Sequence, residues 1–418
     1  MDVVLGLAFR IFYPSCYIIL TIESVYVMGD KMRVLYILDP ATVGGATNAF
    51  LTLIRELINK GVEPIVCMSR DGEGVSKELR SLNVPVYEIG HDEMITKLDK
   101  GNGWKSVKRN TKKFVKYVWH DIKAIKQIKK ELDLKEIDVI HTNSSRSDVG
   151  FYLNMFYRIP HLVHLRESDN VVRPLNPLYV PIYNRFADKF VCVSESVRDY
   201  WTAKGIKKSK TCVVYDGIYY QDINESGVET KMNNELKVIM TGAISELKGQ
   251  DLSIKALGMI PKEIRRCIHV DYYGWTNDYY LNLLKNLAKQ VGVLDNVSFM
   301  GKTSRENVHK LLGNYQLGLM CSKTEGFGLV TAEYMFAKLG VIASDAGASP
   351  ELIKNGKTGL VFKSGDAESL KDAIVYYYTN RNVLVKHSVA AREDALLRFT
   401  SEINAANVYL RYEELLNK

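Results

Sequence analysis

The stretch Arg33-Val-Leu-Tyr-Ile-Leu38 is an uninterrupted apolar run, and the loop after it contains the adjacent glycines Gly44 and Gly45. Beyond the loop, apolar residues recur at helical spacing, at Phe50, Leu53, Ile54, Leu57 and Ile58. Gly61 ends this helix, and residues 64–68 form the next apolar run. A strand, a glycine loop, a helix and a second strand in this order predict a right-handed crossover between parallel strands.

Similar apolar runs continue through the chain. In the first half they cover residues 84–89, 137–141, 161–165, 190–193 and 212–214, and in the second half they begin at residues 238, 268, 297, 317, 340 and 359. Because these runs do not alternate with polar residues, they predict strands that are buried on both faces. The fold class is therefore α/β, with two Rossmann-like, doubly wound parallel sheets facing each other across a cleft.

Four segments follow from this pattern. Residues 1–31 form an N-terminal extension, 32–220 a Rossmann-like domain, 221–395 a second one, and 396–418 a terminal helix that could cross back to the first domain. The polar stretch between Tyr219 and Lys237, which has no apolar period, is the predicted linker between the domains. The extension has an uncharged run of twelve residues, from Ile11 to Ile22, which Pro14 interrupts. That run is shorter than the ~20 residues a membrane span needs. Three interpretations stay open: translation from Met28 or Met32, a short in-plane anchor, or an ordinary extra element.

Composition narrows the class of protein. The 418 residues are 46% hydrophobic and 25% charged, which excludes wholesale disorder and fibrous repeats. The six cysteines are scattered, so neither a zinc knuckle nor a disulfide framework is indicated, and a reducing cytoplasm is the expected compartment. The net charge of +8 is concentrated locally, because residues 97–130 hold eleven Lys and one Arg against two Asp.

The segment Lys323-Thr-Glu-Gly-Phe-Gly-Leu-Val-Thr-Ala-Glu-Tyr-Met335 carries the strongest chemical signal. Its glycines let the backbone approach a ligand closely, and the helix predicted after them directs free N–H groups toward the loop, which suits an anion. Glu325 and Glu333 are eight residues apart, roughly 12 Å along a helix, too far to chelate one metal. They suit the two hydroxyl-bearing ends of a molecule with phosphate in the middle, such as a nucleotide sugar.

Together with residues 347–353 and 356–362, this segment closely resembles the donor-site signature of retaining glycosyltransferases of family 4, which adopt the two-domain GT-B fold. The resemblance implies that Glu325 contacts the donor sugar and Glu333 the ribose. It also implies that the backbone of residues 326–330 contacts phosphate and sugar. The residues of that loop are Gly326, Phe327, Gly328, Leu329 and Val330.

A second motif follows the strand that begins at residue 238. Gly242 and Lys248 resemble the family's Gly-Arg and Lys-Gly pair, and the resemblance implies that Lys248 neutralises the donor diphosphate. Ala243 departs from the family pattern, because an arginine usually stands there. Lys248 and the helix dipole could suffice, another cation could substitute, or activity could be reduced; a purely structural Lys248 is the alternative.

The first half offers weaker candidates. Gly44 and Gly45 resemble the family's glycine loop, which borders the donor phosphates and the acceptor, although a plain tight turn explains them equally well. In this family a histidine at a strand end contacts the donor sugar, and His164 matches it better than His141 or His161. Arg166 and Glu167 are secondary candidates, and a structural histidine is the alternative to a binding one.

The basic segment predicts an amphipathic helix at 107–130. Its predicted apolar stripe is Val115, Val118, Trp119, Ile122, Ile125 and Ile128, with lysines largely around it. Such a helix suits an anionic membrane surface that carries a lipid-linked acceptor. A core-packed helix with a solvated lysine face is the alternative, and nucleic-acid binding is disfavoured because no recognised module is present.

The sequence therefore predicts a cytoplasmic glycosyltransferase, peripherally associated with the inner face of the plasma membrane. It would move a hexose-type sugar from a nucleoside-diphosphate sugar to a hydroxyl of a lipid-linked or growing surface glycan, in capsule, lipopolysaccharide or exopolysaccharide synthesis. The predicted catalytic residues are Glu325, His164 and Lys248. The resemblance implies retention of the anomeric configuration and no metal requirement, and the sequence agrees to the extent that no Asp-x-Asp pair joins a strand to a helix. No cofactor is expected. An inactive donor-binding subunit and a sugar-nucleotide epimerase or hydrolase are the rival classes.

Overall fold

The computed structural model describes residues 31–38, 44–69, 74–89, 104–168, 179–226 and 234–417. The extension 1–30, the loop 39–43 and part of the predicted linker, 227–233, lie outside the described residues. The elements given below belong to one compact unit that begins at Met32.

In the described part of the first half, seven strands form one parallel sheet in the order β3-β2-β1-β4-β5-β6-β7. The strands are β1 (Met32–Leu38), β2 (Val62–Met68), β3 (Val86–Glu88), β4 (Val139–Thr142), β5 (His161–Leu165), β6 (Lys189–Cys192) and β7 (Thr211–Val213). The helices are α1 (Gly45–Asn59), α2 (Val75–Ser81), α3 (Trp104–Glu131), α4 (Val149–Tyr157), α5 (Tyr179–Phe186) and α6 (Glu195–Ala203).

The second half repeats this plan with a parallel sheet in the order β10-β9-β8-β11-β12-β13. The strands are β8 (Leu236–Thr241), β9 (Ile268–Tyr273), β10 (Val297–Gly301), β11 (Leu317–Met320), β12 (Gly340–Ser344) and β13 (Leu360–Phe362). The helices are α7 (Gln250–Met259), α8 (Lys262–Arg265), α9 (Asp278–Gln290), α10 (Arg305–Leu312), α11 (Leu329–Phe336), α12 (Ser349–Leu352), α13 (Ala367–Thr379), α14 (Arg381–Arg398) and α15 (Ser401–Leu416).

Both sheets confirm the predicted doubly wound α/β class. The strand order reverses between β1 and β4 in the first sheet and between β8 and β11 in the second. In open parallel sheets, ligands bind in the crevice at the carboxyl ends of the strands where this reversal occurs. The loops after β1, β4, β8 and β11 are therefore the places where a site is expected.

Helices cover both faces of the first sheet. On one face, Val408 and Tyr412 of α15 share a buried apolar cluster with Phe50 and Leu53 of α1. On the other face, Ile128 of α3 belongs to the cluster that packs on the sheet. Burial of one such side chain stabilises the fold by about 1.5 to 3 kcal/mol. The last helix of the chain is thus part of the core of the first sheet.

The predicted single apolar stripe of α3 was wrong, because the stripe divides into two. Ile125 and Ile128 are buried against the sheet, whereas Val115, Trp119 and Ile122 are 63%, 51% and 44% exposed. The buried face also includes Tyr117, Asp121 and Ala124, which the sequence pattern did not select. The helix consequently has a core-facing side and a separate exposed apolar side that is bordered by lysines.

The first part of the predicted linker is docked on the second half. Ile223 is buried, the Asn224 amide donates to the His309 carbonyl at 3.1 Å, and Ser226 Oγ donates to the Tyr315 carbonyl. The polar composition of this stretch hid one apolar anchor, Ile223, which is sufficient to fix its course. The connection between the sheets is therefore packed as far as residue 226.

Candidate functional site

The loop between β11 and α11 lies at the reversal point of the second sheet. Gly328 is the N-cap of α11, with a φ of 97° in the left-handed region, and no side chain caps the helix. The first turn also contains no acidic residue. The amides at the start of α11 therefore have no side-chain cap, which is compatible with the predicted anion contact of Leu329 and Val330.

Glu325 and Lys248 meet in this crevice. Lys248 Nζ forms an ion pair with the Glu325 carboxylate, which also accepts a hydrogen bond from Ser322 Oγ at 2.7 Å. The Glu325 side chain is only 12% exposed, and the Lys248 side chain is 33% exposed. Two residues that the sequence assigned to one ligand are thus direct neighbours, and a ligand anion would compete with Glu325 for the lysine charge.

Glu333 lies on α11 and is held by two side chains of α10. Arg305 Nε donates to Glu333 Oε1 at 2.8 Å, and His309 Nε2 lies 3.2 Å from the same oxygen. Burial disfavours ionisation of Glu333, but the Arg305 charge and the His309 contact outweigh it and lower the pKa of the carboxyl. Glu333 is therefore an ionised acceptor, whose remaining oxygen suits hydroxyl groups.

Sequence reasoning did not select Arg305 or His309. Their i, i+4 spacing places them on one face of α10, which is a usable signal. The sequence does not reveal that this face meets α11, because that depends on how the two helices pack on the sheet. Both residues complete the surroundings of Glu333.

The start of α1 adjoins the start of α11. A Cβ on Gly45 would lie 3.5 Å from Leu329 Cδ1, so the predicted glycine loop of the first half faces the start of α11 in the second. Gly44 is the N-cap of α1 and provides no side-chain cap, and the first turn of α1 has no acidic residue. Two uncapped helix N-termini therefore converge here, and their dipoles act on the same space.

Gly242 directly follows the strand β8 and donates its N–H to the Tyr273 carbonyl at 3.0 Å. Ala243, at the position where the family pattern has arginine, is exposed. Lys248 reaches the crevice from the same loop, whereas the alanine contributes no charge. Phe327 is buried instead of facing a ligand: its ring lies 5.5 Å from Phe399 and 5.9 Å from Tyr215. The Phe327 ring anchors the loop, and only the backbone of this residue is left as a candidate ligand contact.

The three histidines of the first sheet differ in what their ring nitrogens contact. Both nitrogens of His161 are engaged, by Thr142 Oγ1 at 2.8 Å and by the Phe186 carbonyl at 3.0 Å, which makes it a structural residue. His141 Nδ1 lies 2.5 Å from Tyr412 Oη, and His164 Nδ1 lies 3.4 Å from an Arg166 nitrogen. Nε2 of His141 and of His164 is buried with no partner among the described groups. His141 and His164 therefore remain as the candidates for a ligand-binding histidine.

Burial lowers the pKa of His141 and of His164 well below its usual value, and the nearby Arg166 charge lowers both further. The rings are 5.3 Å apart. Both imidazoles are consequently neutral near pH 7. A neutral imidazole in this place binds a polar ligand atom by hydrogen bonding without adding charge.

Arg166 is buried and does not face solvent. It pairs with Asp216, and its Nε donates to Asn143 Oδ1 at 3.0 Å. Glu167 accepts hydrogen bonds from Ser144 Oγ at 3.1 Å and Ser145 Oγ at 3.0 Å. The two secondary candidates are thus tied into loops of the first sheet.

Several contacts join the two halves beside the site. Ser194 Oγ donates to the Gly326 carbonyl at 2.6 Å. The Glu351 carboxylate accepts from the amides of Glu195 and Ser196 at 2.8 and 2.7 Å, so a residue of the second half caps α6 of the first. Burial raises the pKa of Glu351, although these amides oppose the shift. The loop between β11 and α11 and the neighbouring residue Glu351 are therefore fixed against the first half of the chain.

Two features are absent from the part of the chain that the structure describes. No group of three or more His, Cys, Asp or Glu side chains in that part of the chain could hold a metal ion. None of its helices is both long enough and apolar enough to cross a membrane.

Two family models together match residues 43–394. The model for "Glycosyltransferase Family 4" matches residues 43–221, and the model for "Glycosyl transferases group 1" matches residues 222–394. Among solved structures, Anabaena Alr3699/HepE in complex with UDP-glucose aligns with a TM-score of 0.71, over 92% of this chain and 100% of that chain at 19% identity. WaaG, a glycosyltransferase involved in lipopolysaccharide biosynthesis, aligns with a TM-score of 0.60, over 90% of this chain and 99% of that chain at 14% identity.

The curated relatives match a smaller share of this chain than the solved structures do. An uncharacterized glycosyltransferase of Methanocaldococcus jannaschii, MJ1178, is 25% identical over 300 residues, which is 70% of this chain and 80% of that protein. The lipopolysaccharide core biosynthesis mannosyltransferase LpcC of Rhizobium leguminosarum bv. viciae is 29% identical over 177 residues, 42% of this chain and half of its own length.

Two parallel-sheet halves, with their reversal points and helix N-termini facing each other, define the GT-B class of fold. Within that class, the chain belongs to glycosyltransferase family 4.

Proposed function

We propose that the protein is a retaining glycosyltransferase that moves a hexose-type sugar from a nucleoside-diphosphate sugar to a hydroxyl of a lipid-linked or growing surface glycan. The carrying observation is that Glu325 and Lys248 pair on loops beside the uncapped N-termini of α1 and α11, and that α11 also carries Glu333. HepE, which shares the fold, was solved with UDP-glucose, and LpcC is a lipopolysaccharide core mannosyltransferase. Both support a nucleotide-sugar donor and a surface-glycan product, in capsule, lipopolysaccharide or exopolysaccharide synthesis.

In the proposed complex, the ends of α1 and α11 and the Lys248 ammonium bind the diphosphate. The second oxygen of the Glu333 carboxylate accepts from ribose hydroxyls, and Glu325, released from Lys248, accepts from the sugar. Carboxylates discriminate hydroxyl-bearing groups because they accept hydrogen bonds only. The neutral His164 completes the contacts on the sugar from the first half.

The proposed reaction needs no protein nucleophile. The bond between the anomeric carbon and the diphosphate oxygen breaks, and the diphosphate leaves on the face that the acceptor approaches. A departing phosphate oxygen takes the proton of the incoming hydroxyl, whose oxygen bonds to the anomeric carbon. Lys248 and the helix N-termini stabilise the charge that develops on the leaving group. We propose that these groups perform this task without a metal ion or cofactor.

We further propose that the exposed side of α3 attaches the enzyme peripherally to the cytoplasmic face of the membrane. Val115, Trp119 and Ile122 are exposed there, and Lys123 Nζ lies 3.6 Å from the centre of the Trp119 ring. An apolar stripe bordered by lysines combines burial in the acyl boundary with attraction to anionic headgroups. This position would bring the crevice close to a lipid-linked acceptor.

The second candidate function is a donor-binding but inactive subunit. It is favoured by one observation, the alanine at position 243, which leaves the diphosphate one cation short of the family pattern. Such a subunit would bind the nucleotide sugar and yet give no product with any acceptor.

The testing experiment is thermal stabilisation of the full chain by UDP-, GDP- and dTDP-sugars, followed by product analysis with membrane extracts as acceptor. Binding to the native state raises the melting temperature by mass action. We expect one donor to stabilise the protein and Glu333→Ala and Lys248→Ala to abolish that effect. Lys323→Ala is the matched control, since Lys323 lies on the loop that carries Glu325 but pairs with the exposed Glu246. Stabilisation without product would support the inactive subunit, and no stabilisation by any donor would refute the proposal.

A further inference from the structure

The guanidinium of Arg166 is committed to protein atoms on all three nitrogens. Nε donates to Asn143, one terminal nitrogen pairs with Asp216, and the other lies 3.4 Å from His164 Nδ1. The Arg166 and Asp216 side chains are 3% and 7% exposed. An arginine held in this way is a poor first choice for a direct ligand contact. Its effect reaches a ligand through the histidine that it touches.

We propose that Arg166 is a positioning residue that fixes His164 in the tautomer with its proton on Nε2. A guanidinium carries donors only, so the Nδ1 atom that faces it has to be the acceptor. In a neutral imidazole the proton then resides on the other nitrogen. The inference rests on the proposed function, because it assigns to His164 a donor N–H for an oxygen of the donor sugar.

His164 Nε2 provides the second, independent observation. It is buried with no partner among the described groups. A buried N–H without an acceptor is rare in native proteins and calls for an explanation, such as a ligand that is bound during function. An oxygen of a bound sugar would provide that acceptor.

The surroundings of Arg166 keep its charge in place. Asp216 pairs with the charged guanidinium, and Asn143 fixes its plane through Nε. The charge in turn disfavours a protonated His164, which agrees with the low pKa of this histidine. The imidazole is thereby kept neutral as well as oriented.

His141 offers an internal contrast. Its Nδ1 faces the Tyr412 hydroxyl, which lies 3.0 Å from the Tyr36 hydroxyl. A hydroxyl is both donor and acceptor, so this contact allows either tautomer of His141. Of the two histidines with a free Nε2, only His164 faces a group that can act solely as a donor.

The test uses ¹⁵N-histidine-labelled full chain and two-bond ¹⁵N–¹H spectra, with the His164 signals assigned by comparison with His164→Gln. In the wild type we expect Nδ1 of His164 to be the unprotonated nitrogen and Nε2 the protonated one. In Arg166→Gln/Asp216→Asn, which removes both buried charges together, we expect a mixture of tautomers. Arg166→Lys keeps a donor-only group and should restore the Nε2-protonated form. If the double variant does not fold, the His164 tautomers of the wild type and of Arg166→Lys still decide whether the inference holds.

A wild-type His164 protonated on Nδ1, or a tautomer unchanged by the double substitution, would overturn the inference. These spectra need neither donor nor turnover, so they separate failure of this inference from failure of the proposed function. Kinetics add a second reading: the double variant should lower kcat for transfer at least tenfold with a smaller change in the donor KM. In the His164→Ala background it should change neither value, whereas a purely structural role would still lower kcat there.

Discussion

Gly326 and Arg166 come from opposite halves of the chain, and a Cβ added to Gly326 would lie 2.2 Å from the Arg166 carbonyl oxygen. Because that oxygen belongs to the backbone, it cannot turn away as a side chain could. We expect Gly326→Ala to push the loop between β11 and α11 off the first sheet and to lower kcat/KM by about 100-fold, the effect of a 1 Å displacement of positioned groups. Steady-state kinetics with the donor that the thermal-stabilisation experiment selects would measure it.

Ser194→Ala is the matched control for this contact. It removes the hydrogen bond to the Gly326 carbonyl and the N-cap of α6 without adding bulk. We expect a loss of about 1 kcal/mol of stability and a smaller loss of kcat/KM. Gly326→Ala with wild-type kinetics would mean that the contact does not set the position of the loop.

Glu351→Ala should destabilise the protein and weaken donor binding together. The substitution leaves the amides of Glu195 and Ser196 without their acceptor and opens the contact between the two halves. We expect the free energy of unfolding to fall by about 1 to 3 kcal/mol, measured by urea denaturation. Glu351→Gln keeps an acceptor oxygen and should fall between the wild type and the alanine variant. Equal stability of all three proteins would contradict the capping role.

The Glu333 carboxyl should contribute to the free energy of unfolding by an amount that depends on pH. Its pKa in the folded protein is lowered from 4.5, so below that pH the unfolded chain binds a proton more readily than the native state does. The contribution is therefore complete above the unfolded value and is lost as the pH falls through the folded pKa. We expect the stability gap between wild type and Glu333→Gln to be constant from pH 8 to about 6 and to shrink below about 4.5. Denaturation midpoints at each pH would show it, and a gap that widens in acid would contradict it.

Lys248→Ala should lower kcat/KM by about 100-fold, because the diphosphate loses its cation while the two helix N-termini remain. Wild-type activity should be unchanged by EDTA, since the proposed charge stabilisation comes from the chain itself. Lys323→Ala serves again as the control with little expected change. Loss of activity in EDTA, with recovery on adding Mg²⁺, would require a metal in the reaction.

The exposed side of α3 should bind anionic vesicles. We expect Trp119→Ser to weaken sedimentation with vesicles containing phosphatidylglycerol, and added salt to weaken it further, since each lysine near the surface contributes about 1 kcal/mol. Leu397→Ser is the control, because Leu397 is 76% exposed on α14, away from the lysine cluster. Equal binding by both variants would remove α3 from the membrane contact.

Much of this architecture was predictable from the sequence. Buried parallel strands leave long apolar runs, and the crossover loops carry their own glycines, so the two sheets and the loop before α11 could be predicted. The face of α3 was not predictable, because Asp121 lies on the buried side and Trp119 on the exposed side, against their usual preferences.

The types of residue in the candidate site were predictable from the sequence, but the contacts between those residues were not. The pairing of Glu325 with Lys248, and of Glu333 with Arg305, depends on how loops from different strands meet at the edge of the sheet. Arg166 was a secondary candidate for a ligand contact because it follows His164 at the end of a strand. Its partner Asp216 is 50 residues away, and that distance hid the pairing.

The position of α15 has a consequence for biosynthesis. Tyr412 packs in the core of the first sheet. Its hydroxyl lies 3.0 Å from the hydroxyl of Tyr36 on β1, although the two residues are 376 positions apart in the sequence. Domains usually fold as they leave the ribosome, the N-terminal one first. Here the first sheet emerges without one of its covering helices and keeps an apolar face open until the second sheet has been made. The nascent chain therefore exposes this face to chaperones and to aggregation for most of its synthesis, and the two halves reach their final form together.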